Sequence, residues 1–393
     1  MTAIVQIVQP TRSAKQSAPF SIEIWSDPDD FLQRATDWNA LADRAAPDNV
    51  FLRHEWFAAA WQWLRHDAEL RVLGIREAGR LVGIAPLIRR QGGSRRLLCF
   101  MTVPDTQSCT LIAAADVLQP VVSAVVETLR TRLTDWDELQ LTHLDSPSAA
   151  LQALQEAFTL HGLRHVARPQ GDNPCVSLDD NWNTYYARRS RRLKKGNNLI
   201  ANSLGRRTQR IALDQIGVAQ RLDEAAIAKL LEILVDLSAH SWKHTTGLTL
   251  DYAGPQAFFR ALTQIANQRG WLSVWLLWLG EEAVAMEYQL RYHGHVHALR
   301  ADYRADHAEL SPGSYLNWKM LEQLFASTDR KYWMGPGNNP YKQRWAESGQ
   351  QLTTLIAFNT TPWGRWLAVR ELALRPLYQR LRTLLRAPVE TKA

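Results

Sequence analysis

The run Ser311-Pro312-Gly313-Ser314-Tyr315, after a strand-like stretch from His295 to Asp302, is the part of this sequence best suited to holding phosphate. Ser311 suits a helix N-cap and Pro312 the first helical position, where a fixed φ and a missing N–H cost nothing. The amides of Gly313, Ser314 and Tyr315 would then lack intrahelical acceptors at the positive end of the helix dipole. Gly313 carries no side chain, so an anion such as a pyrophosphate could approach the backbone closely. Ser-Pro-Gly also opens many helices that bind nothing, and both readings stand on these residues alone.

Other groups could carry charge or protons. Arg188-Arg189-Ser190-Arg191-Arg192-Leu193-Lys194-Lys195 places six cations in eight residues, after Tyr185 and Tyr186. On a helix they exceed a single solvated face. The run reads as surface solvation or as a site for an anionic acceptor, a cofactor phosphate, RNA or membrane, and no RNA-binding signature accompanies it. His293, His295 and His297 alternate, with His307 beyond, but no carboxylate or Cys completes a ligand spacing, so no metal is expected. Lys342, after Tyr341, could meet a phosphate or an acidic acceptor, or sit solvated in a first helical turn. Trp242 and Lys243 close a helix, where they either pack and favour the C-terminal dipole or bind an acceptor.

The elements that must position these residues belong to a chain of 393 residues, long enough for two sizeable cores. Hydrophobic content of 46% and charged content of 22% are ordinary for a globular protein, and no apolar run could span a bilayer. The net charge of +7, mostly arginine, favours an anionic partner. Cys99, Cys109 and Cys175 form no metal-like pair and are expected as reduced core residues. Residues 1–19 lack the apolar centre of a signal peptide and are expected as a disordered leader on a cytoplasmic protein.

A helix ending near Leu64 leads into strands Leu70 to Arg76 and Leu81 to Arg89 about a Glu77–Arg80 turn. Helices Glu224 to His240 and Pro255 to Gln268 later lead into strands Trp271 to Leu279, Ala283 to Tyr292 and His295 to Asp302. The similar order predicts a duplicated α/β unit. The Pro/Gly/Asn cluster Arg168 to Pro174 marks a boundary, dividing the chain into 20–168 and 169–361. Residues 362–393 form a basic amphipathic helix and tail, interrupted at Pro376, which docks on the core or lies against an anionic membrane.

In the second half, Ser241-Trp242-Lys243, Phe258-Phe259, Gly270-Trp271-Leu272, Ala301-Asp302-Tyr303, Leu310-Ser311-Pro312-Gly313 and Tyr341-Lys342-Gln343-Arg344-Trp345 occur in order. This series resembles the CelD/BcsL-like acetyltransferases, a branch of the GNAT superfamily related to the FemAB peptidyltransferases. The resemblance covers about residues 175–350, with a weaker match through Phe51 to Trp56 and Gly83 to Leu87. It implies an α/β (α+β) fold of tandem GNAT-like domains, with mixed, mostly antiparallel sheets flanked by helices and the second domain catalytic. It also implies an acyl-CoA donor, such as acetyl-CoA, and a role in exopolysaccharide or cell-envelope synthesis.

In such folds the strand before the phosphate loop offers backbone groups to the thioester. By that analogy Arg300, Ala301, Asp302 and Tyr303 edge the reactive centre, while Ser311, Gly313, Ser314 and Tyr315 hold the pyrophosphate. Acyl transfer needs a group to take the acceptor's proton and often a donor for the departing thiolate. Asp302 and Glu287, on adjacent strands, are the candidates for the first role, and Asp302→Asn is expected to lower turnover while sparing cofactor binding. Tyr303 is the candidate for the second, and Trp242, Lys243, Tyr341 and Lys342 are candidates for substrate binding. The family often carries an acidic residue where this chain has Trp333. That departure leaves room for a silent scaffold of a polysaccharide-synthesis complex, and the basic run leaves room for a FemAB-like transfer from aminoacyl-tRNA.

Overall fold

The computed structural model describes residues 20–206, 210–244, 247–375 and 377–378. The expected leader, Pro376 and the tail past residue 378 lie outside the described residues. The first half begins with β1 (Ser21–Trp25), α1 (Pro28–Gln33), α2 (Ala35–Ala45) and α3 (His54–Leu64). Strands β2 (Ala68–Leu70), β3 (Val72–Glu77), β4 (Arg80–Ala85), β5 (Leu87–Arg90), β6 (Leu97–Phe100) and β7 (Ile112–Ala113) follow. It closes with α4 (Leu118–Thr131), β8 (Glu138–Ser146), α5 (Ala149–Leu160) and β9 (Arg164–Ser177).

The second half opens with α6 (Trp182–Ala187), α7 (Arg191–Gly205), β10 (Ile211–Ile216), α8 (Glu224–Ala239) and α9 (Ala253–Arg269). Three consecutive strands come next, β11 (Leu272–Leu279), β12 (Glu282–Tyr292) and β13 (His295–Tyr303). Beyond a 3-10 turn at Ala305–Leu310 lie α10 (Pro312–Leu324), β14 (Lys331–Trp333), α11 (Pro340–Trp345), β15 (Ser348–Phe358) and α12 (Pro362–Val369).

Local chemistry explains the key joints. Gly270 ends α9 with a left-handed φ of 75°, and the Trp271 amide returns to Ala266 O at 2.8 Å. That is the geometry glycine permits at a helix C-terminus. His293 and Gly294, with φ of 48° and 77°, make the tight turn joining β12 to β13. The expected strand from Leu81 to Arg89 instead breaks at Pro86, which lacks the N–H a continuous ladder needs, and its two parts enter different sheets.

Among the described residues, the strands form a four-stranded sheet, β1-β3-β4-β7, and an eleven-stranded sheet, β10-β11-β12-β13-β14-β9-β15-β8-β6-β5-β2. Pairing is antiparallel except between β6 and β8 and between β13 and β14. Each half therefore repeats one motif, a strand followed through a helix by its parallel neighbour. This is the expected α/β class with mixed, mostly antiparallel sheets flanked by helices.

The halves are stitched at the centre of the large sheet. β9, from the first half, lies between β14 and β15, while β15 reaches back to β8. Arg168 to Pro174 is thus not a linker but the middle of β9. Leu352 pairs with Gly171 and Thr353 with Pro169, so Gln170 is an extra residue and Gly171 takes φ 124°. The Pro/Gly composition marks a bulge, where such residues fit a strand.

A second seam joins α3 to α9. Trp56, 1% exposed, meets Phe258 edge-on at 5.3 Å, and Arg269 pairs with Glu55 at 2.7 Å. Trp56→Ala should lower stability by about 3–5 kcal/mol through the cavity it leaves. Trp242→Ala, at an exposed position, should stay within about 0.5 kcal/mol. Urea unfolding midpoints compare the two.

On α12, Gly364, Leu367 and Ala368 are buried, whereas Trp363 and Trp366 stack on each other at 4.8 Å on the exposed side. No helix among the described residues is long and apolar enough to cross a membrane. Cys109 and Cys175 are buried and Cys99 partly so, all three as free thiols.

Candidate active site

β13 carries a bulge at Leu299, since Tyr288 of β12 pairs with Arg300 and Gln289 with Ala298. β13 and β14 pair only through His295–His297 and Lys331–Trp333, so beyond the bulge β13 parts from its neighbour. A groove of about 890 Å³ lies there. Met286, Glu287 and Ala301 to Tyr303 come to it from the sheet, Gly313, Ser314 and Asn317 from α10, and Tyr341 and Arg344 from α11. Arg192 and Lys195 of α7 close it from above, with Trp242 at its edge. Trp182 stacks on Tyr186 at 4.8 Å, and Tyr186 stacks towards Trp318 of α10 and Trp345 of α11, at 6.1 and 6.3 Å, which fixes α6 and α7 over the groove. A larger groove, about 1240 Å³, follows α8 and α9, but its acidic residues Asp223, Glu224, Glu232 and Asp236 lie away from the desolvated carboxylates.

Asp302 and Glu287 both reach the smaller groove in different electrostatic states. Asp302 is 2% exposed, and its oxygens meet Lys243 Nζ at 2.7 Å, Arg300 Nε at 2.7 Å and the Ser238 hydroxyl at 2.9 Å. Burial alone would push its pKa up, but Arg300 and Lys243 outweigh burial and hold it below the ordinary value. An ionised carboxylate clamped by two cations is a poor proton acceptor. Its reading as the general base is corrected to a structural one.

Glu287 is 4% exposed and accepts hydrogen bonds from Tyr332 Oη at 2.6 Å and Gln289 Nε2 at 2.8 Å. Here burial prevails over those bonds and over the charge of Lys342, so its pKa is raised. A desolvated carboxyl with a raised pKa beside a groove is what proton transfer near neutral pH needs. Asn317, one turn beyond Gly313, is 6% exposed and lies beside Glu287 and Tyr332 without a hydrogen bond of normal geometry to either. A buried amide left so, facing a groove, has bonding capacity for a ligand.

The phosphate cradle expected from the sequence takes a different form. Ser311 is left-handed, with φ 52°, and its side chain does not cap α10. The Ser314 and Tyr315 amides instead donate to Ser311 O, at 3.0 and 3.2 Å. Of the three amides, Gly313 alone makes no hydrogen bond among the described residues, and a Cβ there would lie 3.1 Å from the Tyr303 ring. Ser311 and Tyr315 do not line the groove, whereas Gly313 and Ser314 do.

The β13 edge is also partly occupied. Ala301 O accepts from Lys243 Nζ at 2.7 Å and Ala298 O from Gln107 Nε2 at 2.7 Å, while the Arg300 guanidinium turns to Asp302, Ser238 and Leu248 O. Lys243 is therefore a structural cation here, and it also lies over the ring of Trp242, which is 57% exposed, at 5.7 Å. Lys342 is buried and donates to Gly335 O at 2.8 Å and Pro336 O at 2.9 Å, tying down the turn after β14 instead of facing a phosphate. Burial lowers its pKa to about 8, against the opposing pull of Glu287. Tyr341 lines the groove, and its phenol is held protonated by burial and by the Glu287 charge.

His293, His295 and His297 do not converge as a ligand set. His297 is buried against Gln107, and burial lowers its pKa to about 3, while His293 pairs with Asp48 at 3.3 Å. Glu282, Asp306 and His307 do lie together, but Arg304 pairs with both carboxylates. Four groups near the site were missed from the sequence. Tyr332 and Gln107 carry no spacing signal, and Asp105, whose carboxyl burial raises to about 6, acts across the seam on Arg300, Lys243 and Asp302. Asn317 could have been found, because it lies on the Gly313 face of the helix at i+4.

No curated protein matches the sequence. The C-terminal domain of a putative lysylphosphatidylglycerol synthetase from Agrobacterium fabrum is 11% identical, covering 88% of this chain and 98% of its own, with a TM-score of 0.52. FemX is 10% identical, covering 85% of this chain and 98% of its own, at 0.54. A conserved protein of unknown function from Bacteroides thetaiotaomicron VPI-5482 is 8% identical, covering 86% and 100%, at 0.53. At these identities the likeness is one of fold. Residues 202–343, which run from the end of α7 through Glu287, Asp302 and Gly313 to α11, match the family described as the Acetyltransferase (GNAT) domain.

Proposed function

We propose that the chain is an acyltransferase that moves an acyl group from an acyl-CoA thioester to an amine or hydroxyl of a sugar nucleotide or envelope-polysaccharide precursor, in the manner of the CelD/BcsL-like branch. The observation that carries this reading is Glu287, a buried carboxyl turned to a groove inside the GNAT-matched segment, with the Asn317 amide beside it. The thioester supplies an activated carbonyl when bound. Glu287 takes the proton from the attacking nitrogen or oxygen as that atom bonds to the carbonyl carbon. The C–S bond then breaks, and Tyr341 or Tyr303, both lining the groove, gives a proton to the departing thiolate. Asn317 offers its N–H to the carbonyl oxygen. Trp333 lies on β14 outside the groove lining, and in this reading the carboxylate role falls to Glu287 of β12.

A second reading, transfer from aminoacyl-tRNA, is favoured by Arg191, Arg192 and Lys195, exposed on α7 with no ion pair among the described residues. Thiol release from acetyl-CoA with a panel of amino-sugar and hydroxyl acceptors tests the first reading. Acceptor-dependent release supports it. Binding to charged tRNA with no response to acetyl-CoA would replace it with the second, and a folded protein binding neither would leave a scaffold.

A further inference from the structure

We propose that the groove grips its donor's phosphates with side-chain cations, Arg192 and Lys195 of α7 and Arg344 of α11, and not with the main-chain amides at the start of α10. This rests on the acyl-CoA reading above and names how that donor is held. Two of the three amides at the head of α10 are already bonded to Ser311 O, so main-chain donors there are too few to enclose a diphosphate. The three cations come from two separate elements and line one groove. None has an ion pair or hydrogen bond among the described residues, whereas neighbours of the same kind are engaged. Arg188 meets Asp180 at 2.6 Å, Arg189 donates to Trp345 O at 3.0 Å, and Lys194 donates to Ala187 O at 2.7 Å.

No acidic residue in the groove neutralises the three, because Asp302 is committed to Arg300 and Lys243, and Glu287 is bonded to Tyr332 and Gln289 with its pKa raised. Asn317, more than nine-tenths buried and without a well-formed hydrogen bond, independently points to a ligand deeper in the same groove. The layout is thus polar and cationic at the outer end and carboxyl and amide at the inner end, matching a long donor with phosphates outside and a thioester inside. Arginine suits this role because its fork bonds two phosphate oxygens at once.

Calorimetry with CoA, pantetheine and inorganic pyrophosphate tests the assignment on the full chain, with circular dichroism melts to show that each variant folds. Wild-type protein should bind CoA more tightly than pantetheine by about tenfold or more. Arg192→Gln with Lys195→Gln should weaken CoA and pyrophosphate binding by about 10–100-fold, the worth of one or two charge-assisted hydrogen bonds. Pantetheine affinity should not move, Arg344→Gln should act in the same direction, and Arg191→Gln, outside the groove lining, should have no effect. Unchanged CoA binding in the double variant overturns the proposal, as does an equal loss in Arg191→Gln. Acetyl transfer that persists in the double variant with the wild-type KM refutes the cation site but leaves the acyl-CoA reading standing. Cation-dependent pyrophosphate binding without CoA binding does the reverse.

Discussion

Asp302→Asn should destabilise the protein by about 3–5 kcal/mol, the range for breaking a buried ion pair by removing one partner. The substitution keeps the shape and removes the charge that the buried Arg300 and the half-buried Lys243 pair with, leaving the buried Asp105, whose carboxyl burial raises to about 6, as the carboxyl near them. Ser238 and the β13 bulge are held through the same carboxylate, and the loss should reach α8 as well. Urea unfolding at neutral pH reads the effect directly. A midpoint equal to wild type would return Asp302 to the list of proton acceptors, the role its sequence context suggested.

The pH dependence has a definite sign. The folded-state pKa lies below the ordinary carboxylate value, so the stabilisation is complete above that value and fades as pH falls through the lower folded pKa. Wild type should lose stability on acidification in that window, and Asp302→Asn should show a flatter profile. Replacing both Asp302 and Arg300 by apolar residues of similar size should cost less than Asp302→Asn alone, because no unpaired charge from that pair is then left buried.

The parts of the site that the sequence made legible are those set by local rules. The Pro312 helix start and the His293-Gly294 turn were readable because proline and glycine act on their own backbone. Asp302, Tyr303, Gly313, Trp242 and Tyr341, which belong to the ordered series of motifs, line one groove together with Glu287, which does not. What was not readable depended on partners distant in sequence or on a single dihedral. With Ser311 left-handed, its side chain does not cap the helix and its carbonyl takes the Ser314 amide besides the Tyr315 amide that any N-cap carbonyl accepts. The state of Asp302 is decided by Arg300 beside it and by Lys243, which lies far off in the sequence on another element. Lys342, read as meeting a phosphate or an acidic acceptor or as solvated in a first turn, is buried and donates to the carbonyls of Gly335 and Pro336, partners that its sequence neighbours do not reveal. Arg168 to Pro174 misled for a related reason, since a bulge and a linker draw on the same residues.

Glu287→Gln should reduce kcat by about 10²–10⁴-fold, the usual worth of a positioned general base. The amide is nearly isosteric, can still accept from Tyr332 and leaves the groove's shape intact, so KM for the donor should change little. Stability should move the other way from Asp302→Asn. A carboxyl whose pKa is raised in the fold favours its protonated form there, so its contribution is complete below the ordinary pKa and is lost as pH rises through the folded value. At neutral pH the burial of that group is a cost, and glutamine, which is never charged, should unfold no earlier than wild type. The wild-type rate should climb with pH to an inflection above the ordinary carboxylate range, and this acid limb should vanish in the variant. A kcat within threefold of wild type, or an unaltered acid limb, would remove Glu287 from the chemistry and leave the groove as a binding site alone. A large loss of kcat with an unchanged melting temperature would separate it from Asp302: of two carboxylates on neighbouring strands, one moves a proton and the other holds the strands in place.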